Sequence, residues 1–75
     1  MFDNYYLHDT DDAGIVKYYG YTDDIGNWII VKTDTATTPK TNRFAYGRSN
    51  YTANFTGRVL LSYGLLADII KNIQG

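Results

Sequence analysis

The sequence predicts an α+β fold, in which a small three-stranded antiparallel β-sheet precedes a C-terminal helical segment. Residues 15–33 contain two runs rich in β-branched and aromatic residues around the polar turn Asp23-Asp-Ile-Gly-Asn27, and this pattern predicts a β-hairpin. Residues 42–47 alternate in direction, with Phe44 and Tyr46 on one side, and predict a third strand. From Val59 onward, apolar residues recur at helical spacing.

The turn of the predicted hairpin sets its register. If Gly26 adopts the left-handed conformation after a type I turn, the hairpin closes through a short loop with a bulge. The expected cross-strand pairs are Tyr21–Ile29, Tyr19–Val31 and Gly20–Ile30. A different turn would shift the register by one residue and invert both faces. Gly20 leaves room for a large neighbour, and Trp28 is expected to cover it.

Segments on either side of the hairpin are less regular. Residues 1–14 begin with apolar side chains and continue as the acidic stretch Asp9-Thr-Asp-Asp-Ala-Gly14. We expect an N-terminal arm here, with room for one short strand. Residues 34–41 are rich in threonine and contain the single proline, so they predict an exposed loop.

The C-terminal segment is apolar over more than one side. Its main stripe, at a four-three spacing, is Val59, Tyr63, Leu66, Ile70 and Ile73, and other leucines and isoleucines widen it. A helix of this kind is buried on several sides, so another chain is expected to cover it. Gly57 and Gly64 weaken a continuous helix, so we expect a helix with a break near one of them. The alternative is a strand over residues 58–63, a turn at Gly64 and a short helix over residues 65–73.

A chain of 75 residues is long enough for a single small domain, here divided into an arm (1–14), a sheet (15–48) and a helical segment (49–75). Domains of this size usually need disulfides, a metal or a partner. The chain has no cysteine and a single histidine, His8, so disulfides and thiolate or multi-histidine metal sites are excluded within it. Its eight tyrosines, three phenylalanines and one tryptophan are of the type enriched at interfaces, so a partner is expected.

Charge is unevenly distributed along the chain. Residues 1–24 carry six aspartates and one lysine, whereas residues 25–75 carry six basic residues and two aspartates, for a net charge of −1. This asymmetry suits head-to-tail association, or an acidic arm that lies on a basic surface. Internal compensation within one fold explains it equally well.

Residue patterns for catalysis or metal binding are incomplete. Residues 9–14 resemble the start of a calcium loop, but the chain contains no glutamate to close one. His8 and Asp9 form a possible acid–base pair, yet no serine or threonine lies in a nucleophile-elbow motif. Glycine-rich phosphate loops are absent from the sequence. We therefore expect no enzyme activity, no cofactor and no small-molecule substrate.

Three arginines lie among the aromatic residues. Together with Lys32, and interleaved with Tyr18, Trp28 and Tyr46, the arginines Arg43, Arg48 and Arg58 suggest a surface for single-stranded nucleic acid, where bases stack and phosphates pair. The net negative charge opposes this, because affinity for nucleic acid comes mainly from phosphate neutralisation. The arginines would otherwise pair with the N-terminal aspartates or stack on tyrosines at an interface. Nucleic acid is therefore an unfavoured partner.

Several short motifs together resemble small virion-associated structural proteins of tailed bacteriophages. These motifs are Tyr18-Tyr-Gly-Tyr21, Gly26-Asn-Trp28, Arg43-Phe-Ala-Tyr-Gly47, Ser49-Asn-Tyr-Thr52, Phe55-Thr-Gly-Arg58 and Leu61-Ser-Tyr63. The resemblance spans residues 18–63 and implies a component that is built into the particle in many copies, without active-site residues. It leaves open capsid decoration, neck, tail and fibre. Phe55, where tryptophan is more usual, and the aliphatic end from Leu65 depart from the pattern.

Taken together, these features predict a virion structural protein that acts through contacts with other virion proteins or copies of itself. The partner-binding candidates are Tyr19, Tyr21, Trp28, Phe44, Tyr46, Arg43, Arg48, Arg58, Leu66 and Ile70. Neither a signal peptide nor an apolar run of transmembrane length is visible, so we expect synthesis in the host cytoplasm, a location in the virion and no membrane partner. The alternative is a small intracellular binding module for nucleic acid or a host protein.

Overall fold

The computed structural model describes residues 5–36 and 38–65, and these form four strands followed by a short helical region. The elements are β1 (Tyr6–Asp11), β2 (Val16–Thr22), β3 (Trp28–Asp34), β4 (Thr41–Gly47), helix α1 (Tyr51–Thr56) and a 3-10 turn (Arg58–Leu60). The strands form one antiparallel sheet in the order β1-β2-β3-β4, so each strand pairs with the next in the chain.

The predicted hairpin is confirmed as β2 and β3. All three expected cross-strand pairs are present, Tyr21–Ile29, Tyr19–Val31 and Gly20–Ile30. Gly26 has a positive φ of 97°, a conformation that glycine adopts without steric cost. The predicted third strand is β4, which pairs with β3 along its whole length from Asp34–Thr41 to Trp28–Gly47.

The predicted three-stranded sheet with a C-terminal helical segment is wrong. The N-terminal arm contributes a complete strand, β1, which pairs with β2, and the described helical part is limited to six residues of α1 and the 3-10 turn. The acidic character of residues 9–12 obscured this strand. Its aspartates are accommodated because later residues of the chain supply partners for them.

A β-bulge in β1 decides which way those aspartates point. Between Leu7 and Asp9 the register shifts, so that Leu7 faces Tyr21 and Asp9 faces Gly20. The extra residue is His8, and it reverses the alternation of the strand beyond it. Asp9 and Asp11 therefore lie on the same face of the sheet as Gly20.

Helix formation stops early in the C-terminal part. Helix α1 begins after Asn50, whose backbone is left-handed, and ends at Gly57. After the 3-10 turn, Leu61 is extended (φ −72°, ψ 154°), and Gly64 pairs with Phe44 through two backbone hydrogen bonds of 2.8 Å. Residues 58–63 thus form neither the predicted helix nor the alternative strand. The stripe positions from Leu66 onward lie outside the described residues.

Helix α1 and the 3-10 turn pack on one face of the sheet, which we call the covered face. Its buried cluster is Tyr18, Trp28, Ile30 and Ala45, with Val16, Tyr51, Phe55, Leu61 and Tyr63 packed against it. The expectation that Trp28 covers Gly20 is wrong: Tyr51 and Phe55 lie over Gly20, while the indole of Trp28 lies over Gly47. The two glycines let large rings approach the sheet backbone closely.

The opposite face of the sheet carries the other aromatic residues. It presents Tyr19, Tyr21, Ile29, Val31, Phe44 and Tyr46. Ile29 is 1% exposed, whereas Tyr46 is 37% exposed.

Within the described part of the chain, no helix reaches the length and apolar content needed to cross a bilayer.

Candidate functional site

A hydrogen-bonded network joins β1 to helix α1 at one end of the covered face. The Tyr51 hydroxyl donates to Asp9 Oδ2 over 2.7 Å, and His8 Nδ1 donates to the same oxygen over 2.9 Å. The Tyr51 bond, and next the His8 bond, lower the pKa of the Asp9 carboxyl. Burial, reinforced by the bond to Asp9, raises the pKa of the Tyr51 phenol. Tyr51 therefore stays protonated near neutral pH, as a hydrogen-bond donor that holds α1 against β1.

Arg58 closes this same end of the covered face. Its Nη2 donates to Asp11 Oδ2 over 2.6 Å, and its Nη1 donates to the Phe55 carbonyl over 2.9 Å. The guanidinium lies 4.7 Å from the Phe55 ring centroid and 5.4 Å from that of Tyr18. An ion pair and two cation–π contacts thus satisfy the arginine within the chain. We call this network, with Asp9 and Tyr51, the closed end.

The other end of the covered face is open. A groove of about 280 Å³ lies there, lined by Lys32, Asp34, Thr41, Arg43, Leu61 and Tyr63. We call it the cationic groove. Lys32 and Arg43 face each other directly across β3 and β4, and Lys32 Nζ lies 5.5 Å from the Tyr63 ring centroid. Burial raises the pKa of Tyr63 to about 12, and its hydroxyl donates to the Arg58 carbonyl over 2.8 Å.

Within residues 5–36 and 38–65, the two cations of the groove have no acidic partner in an ion pair. Among the described residues, neither Lys32 nor Arg43 makes an ion pair, and the one hydrogen bond of the Arg43 guanidinium goes to the Asn42 carbonyl over 2.8 Å. Asp34, which also lines the groove, instead accepts a hydrogen bond from the Ala36 amide over 2.9 Å. The chemistry of the lining suits an anion that also offers an apolar or aromatic surface.

Apolar side chains project from the 3-10 turn and from the hairpin tip. Val59 is 70% exposed and Leu60 is 90% exposed, although the residues on both sides of them point inward. At the tip of the β2–β3 turn, Ile25 is 81% exposed and follows the exposed Asp24. These side chains are available to a partner.

Aromatic candidates from the sequence divide between the two faces. Trp28 is 4% exposed on the covered face, and its Nε1 donates to the Ser49 carbonyl over 2.7 Å, so it packs within the core of this chain. The remaining aromatic candidates, Tyr19, Tyr21, Phe44 and Tyr46, share the opposite face. Leu66 and Ile70 lie outside the described residues.

The three arginine candidates are not brought together. Arg58 belongs to the closed end and Arg43 to the cationic groove. Arg48 lines a separate cleft of about 60 Å³ with Tyr5, Asn27 and Tyr46. No single surface therefore collects them. In the part of the chain that the structure describes, no cluster of three or more histidine, cysteine or acidic residues is arranged to hold a metal ion.

Sequence reasoning missed two contributors to these sites. Neither Tyr51, in the predicted helical segment, nor Tyr63, in its apolar stripe, was among the partner-binding candidates, yet they join the closed end and the cationic groove. A signal for Tyr51 exists in the glycine of β2, because Gly20 has room for a ring from outside the sheet. Tyr63 reaches the groove only through the extended backbone that follows the 3-10 turn.

Comparison with protein-family models, with curated proteins and with solved structures yields no match to this chain.

Proposed function

We propose that this chain is a non-enzymatic structural subunit of a bacteriophage virion that acts by protein–protein assembly. The observation that carries the proposal is the pair of adjacent aliphatic side chains Val59 and Leu60, which are 70% and 90% exposed. Scattered apolar side chains on a surface are ordinary, but two neighbours on one fixed turn form a projecting apolar contact.

The turn that carries this pair is held on both sides. Before it, Arg58 is bonded to Asp11, and after it, Leu61 packs against the core. The Leu60 amide donates to the Gly57 carbonyl over 3.0 Å. Because the backbone is already fixed, little conformational entropy is lost when a partner covers Val59 and Leu60. Full burial of each side chain contributes about 1.5–3 kcal/mol.

The virion as the setting rests on the resemblance of residues 18–63 to small virion-associated proteins. A subunit present in many copies could serve in capsid decoration, the neck, the tail or a fibre. We expect an antibody against the chain to label particles purified on a density gradient. Purified particles without the chain would contradict this setting, while leaving the assembly activity to be tested separately.

The assembly activity is tested with the double variant Val59→Ser/Leu60→Ser. We expect the purified chain to self-associate, or to associate with a purified virion protein, and the variant to lose about ten-fold or more in affinity, since roughly 1.4 kcal/mol corresponds to ten-fold. Sedimentation velocity across concentration measures this. High salt should leave this apolar contact intact.

A matched control is Ile15→Ser, which removes another exposed aliphatic side chain, 63% exposed, from the β1–β2 turn. It should leave association unchanged. Circular dichroism should show that all three substituted positions leave the fold intact, because none of them is buried. Equal association of the double variant and the unaltered chain would contradict the role of the pair.

The alternative of a nucleic-acid-binding module receives less support from the same geometry. Single-stranded nucleic acid is bound by a row of positively charged side chains along a groove. Among the described residues, the cationic groove contains two cations and one carboxylate, and Arg58 is already paired with Asp11. The net charge of −1 adds no long-range attraction for phosphate.

A further inference from the structure

The cationic groove carries an unresolved repulsion. Lys32 and Arg43 are directly opposite each other on neighbouring strands, where like charges destabilise a sheet. A different register between β3 and β4 would have separated the two side chains, but the register in the structure pairs them. An anion seated between them would remove the repulsion and gain two charge-assisted interactions.

The charge of the groove suits a single carboxylate. Its charged lining groups are Lys32, Arg43 and Asp34, so its net charge is +1. A second anion would be repelled by Asp34, which also lines the groove. The volume of about 280 Å³ lies at the lower limit for small-molecule sites and is open to solvent, which fits one or two protein side chains. Beside the cations, Leu61 and Tyr63 offer an apolar wall.

The chain itself carries a projecting element of matching chemistry. The tip of the β2–β3 turn places Asp24 next to Ile25, which is 81% exposed. Within the described residues, the Asp24 carboxylate makes no hydrogen bond or ion pair. An acidic side chain followed by an aliphatic one corresponds to a groove with cations beside an apolar wall.

Asp23 holds this tip in a fixed shape. Its Oδ1 accepts from the amides of Ile25 (3.0 Å) and Asn27 (2.9 Å), and its Oδ2 accepts from Asn27 Nδ2 over 2.7 Å. Partial burial raises the pKa of Asp23, but these hydrogen bonds lower it by more, so that the pKa lies below its usual value. One aspartate thus fixes the turn and leaves Asp24 to a partner, at a small entropic cost of docking.

We propose that the β2–β3 turn of one copy docks into the cationic groove of a second copy, with Asp24 between Lys32 and Arg43 and Ile25 against Leu61 and Tyr63. The turn precedes Trp28, the first residue of β3, whereas Lys32 of the groove lies four residues further along the strand, about 13 Å from Trp28 at the usual rise per residue. Turn and groove are different surfaces, so the contact is heterologous and continues head to tail. This inference rests on the proposed function and names a second copy as the partner.

Charge-reversal variants test the contact. Asp24→Arg and Arg43→Glu should each weaken self-association about ten-fold or more, because each places like charges in the groove. In an equimolar mixture, the Arg43→Glu chain still offers its acidic turn and the Asp24→Arg chain still offers its cationic groove. We expect the mixture to regain association, measured by sedimentation velocity at low salt and reduced at high salt.

Two further variants are matched controls for charge. Lys17→Glu reverses a charge on the opposite face of the sheet, and Asp12→Arg reverses one on the β1–β2 turn. Both should associate like the unaltered chain. A chain that stays monomeric at every concentration, charge variants that associate normally, or a mixture that remains monomeric would each overturn the turn-to-groove contact.

Failure of this inference is distinguishable from failure of the proposed function. If only Val59→Ser/Leu60→Ser weakens assembly, the structural role stands and the turn-to-groove contact is wrong. If only the charge variants weaken it, copies associate through turn and groove, and the apolar pair is not the assembly surface.

Discussion

Arg58 and Arg43 both reach the covered face, but their surroundings differ. Arg58 has Asp11 at 2.6 Å and two aromatic rings within 5.4 Å. Arg43 faces Lys32 and, in the described part of the chain, has no acidic partner. Arg58 therefore helps to stabilise the fold, whereas Arg43 is exposed at the surface of the protein. Residue type alone therefore does not identify an arginine that can bind a partner, because an arginine that is already paired within its own chain is not available for one.

The most severe test removes the core residue on which the covered face depends. Trp28→Ala should lower the free energy of unfolding by about 3–5 kcal/mol, since it leaves a cavity over Gly47 and the Ser49 carbonyl without its donor. In a domain this small, such a loss removes most of the stability. Urea unfolding followed by circular dichroism measures it. A variant as stable as the unaltered chain would show that the closed end and the groove do not share this core.

Arg58→Ala should break the closed end alone. We expect a loss of about 2 kcal/mol, from a charge-assisted hydrogen bond and the cation–π contacts, discounted for partial exposure. The control is Arg48→Ala, which removes an exposed arginine and should change the free energy of unfolding by less than about 0.5 kcal/mol. Equal values for both arginines would remove the distinction between them.

Tyr51→Phe should change how the free energy of unfolding depends on pH. Near neutral pH it should cost about 1 kcal/mol, because the hydrogen bond to the Asp9 carboxylate is lost. The folded-state pKa of Asp9 is lowered, so its stabilisation is present above the unfolded pKa, about 4, and is lost as the pH falls through the folded value. The difference between variant and unaltered chain should therefore shrink in acid.

In alkali the sign is the opposite. The pKa of Tyr51 is raised in the fold, so the folded state favours the protonated phenol, and stability falls as the pH rises above the unfolded value of about 10. Tyr51→Phe should reduce this alkaline loss. The remaining part should come from Tyr63, whose pKa burial raises to about 12, and from Tyr5, whose pKa burial also raises. Urea unfolding across the pH range checks both limbs, and parallel curves for the two proteins would contradict the assignment.

Arg43→Ala should have the smallest effect, and of the opposite sign. Removal of the like charge opposite Lys32 should stabilise the isolated chain by a few tenths of a kcal/mol, roughly 0.2–0.5. Thermal unfolding at low salt measures this, and added salt should diminish the gain. A clear destabilisation would mean that Arg43 has a structural role in the isolated chain.

Local signals predicted the hairpin and β4 correctly. Alternation and turn chemistry act within a few residues, and Gly26 fixed the register as expected. Strand β1 and the end of α1 depend on contacts that are distant in sequence. Asp9 and Asp11 have their distant partners in Tyr51 and Arg58, 42 and 47 residues later in the chain. No sequence pattern within residues 1–14 predicts that Tyr51 and Arg58 will bond to these aspartates.

Part of the candidate site was also visible in advance. Arg43 was a candidate from its place among aromatic residues, and the pairing of β3 with β4 was implicit in the predicted sheet. The other wall of the groove was not, because Leu61 and Tyr63 were assigned to a helical stripe. The backbone is extended at Leu61 after the 3-10 turn, and the nearby contact of Arg58 with Asp11 joins residues 47 apart, which no local sequence signal indicates.

The bulge at His8 has a consequence for how copies of this chain avoid uncontrolled association. An exposed edge strand offers unpaired backbone groups that template amyloid-like extension. On β1 the bulge interrupts the regular spacing of those groups, and the aspartates beyond it add charge. On β4, Gly64 already occupies the backbone of Phe44. Growth by strand addition is thus hindered at both edges, and the contacts that we propose between copies use side chains, which salt and single substitutions can reverse.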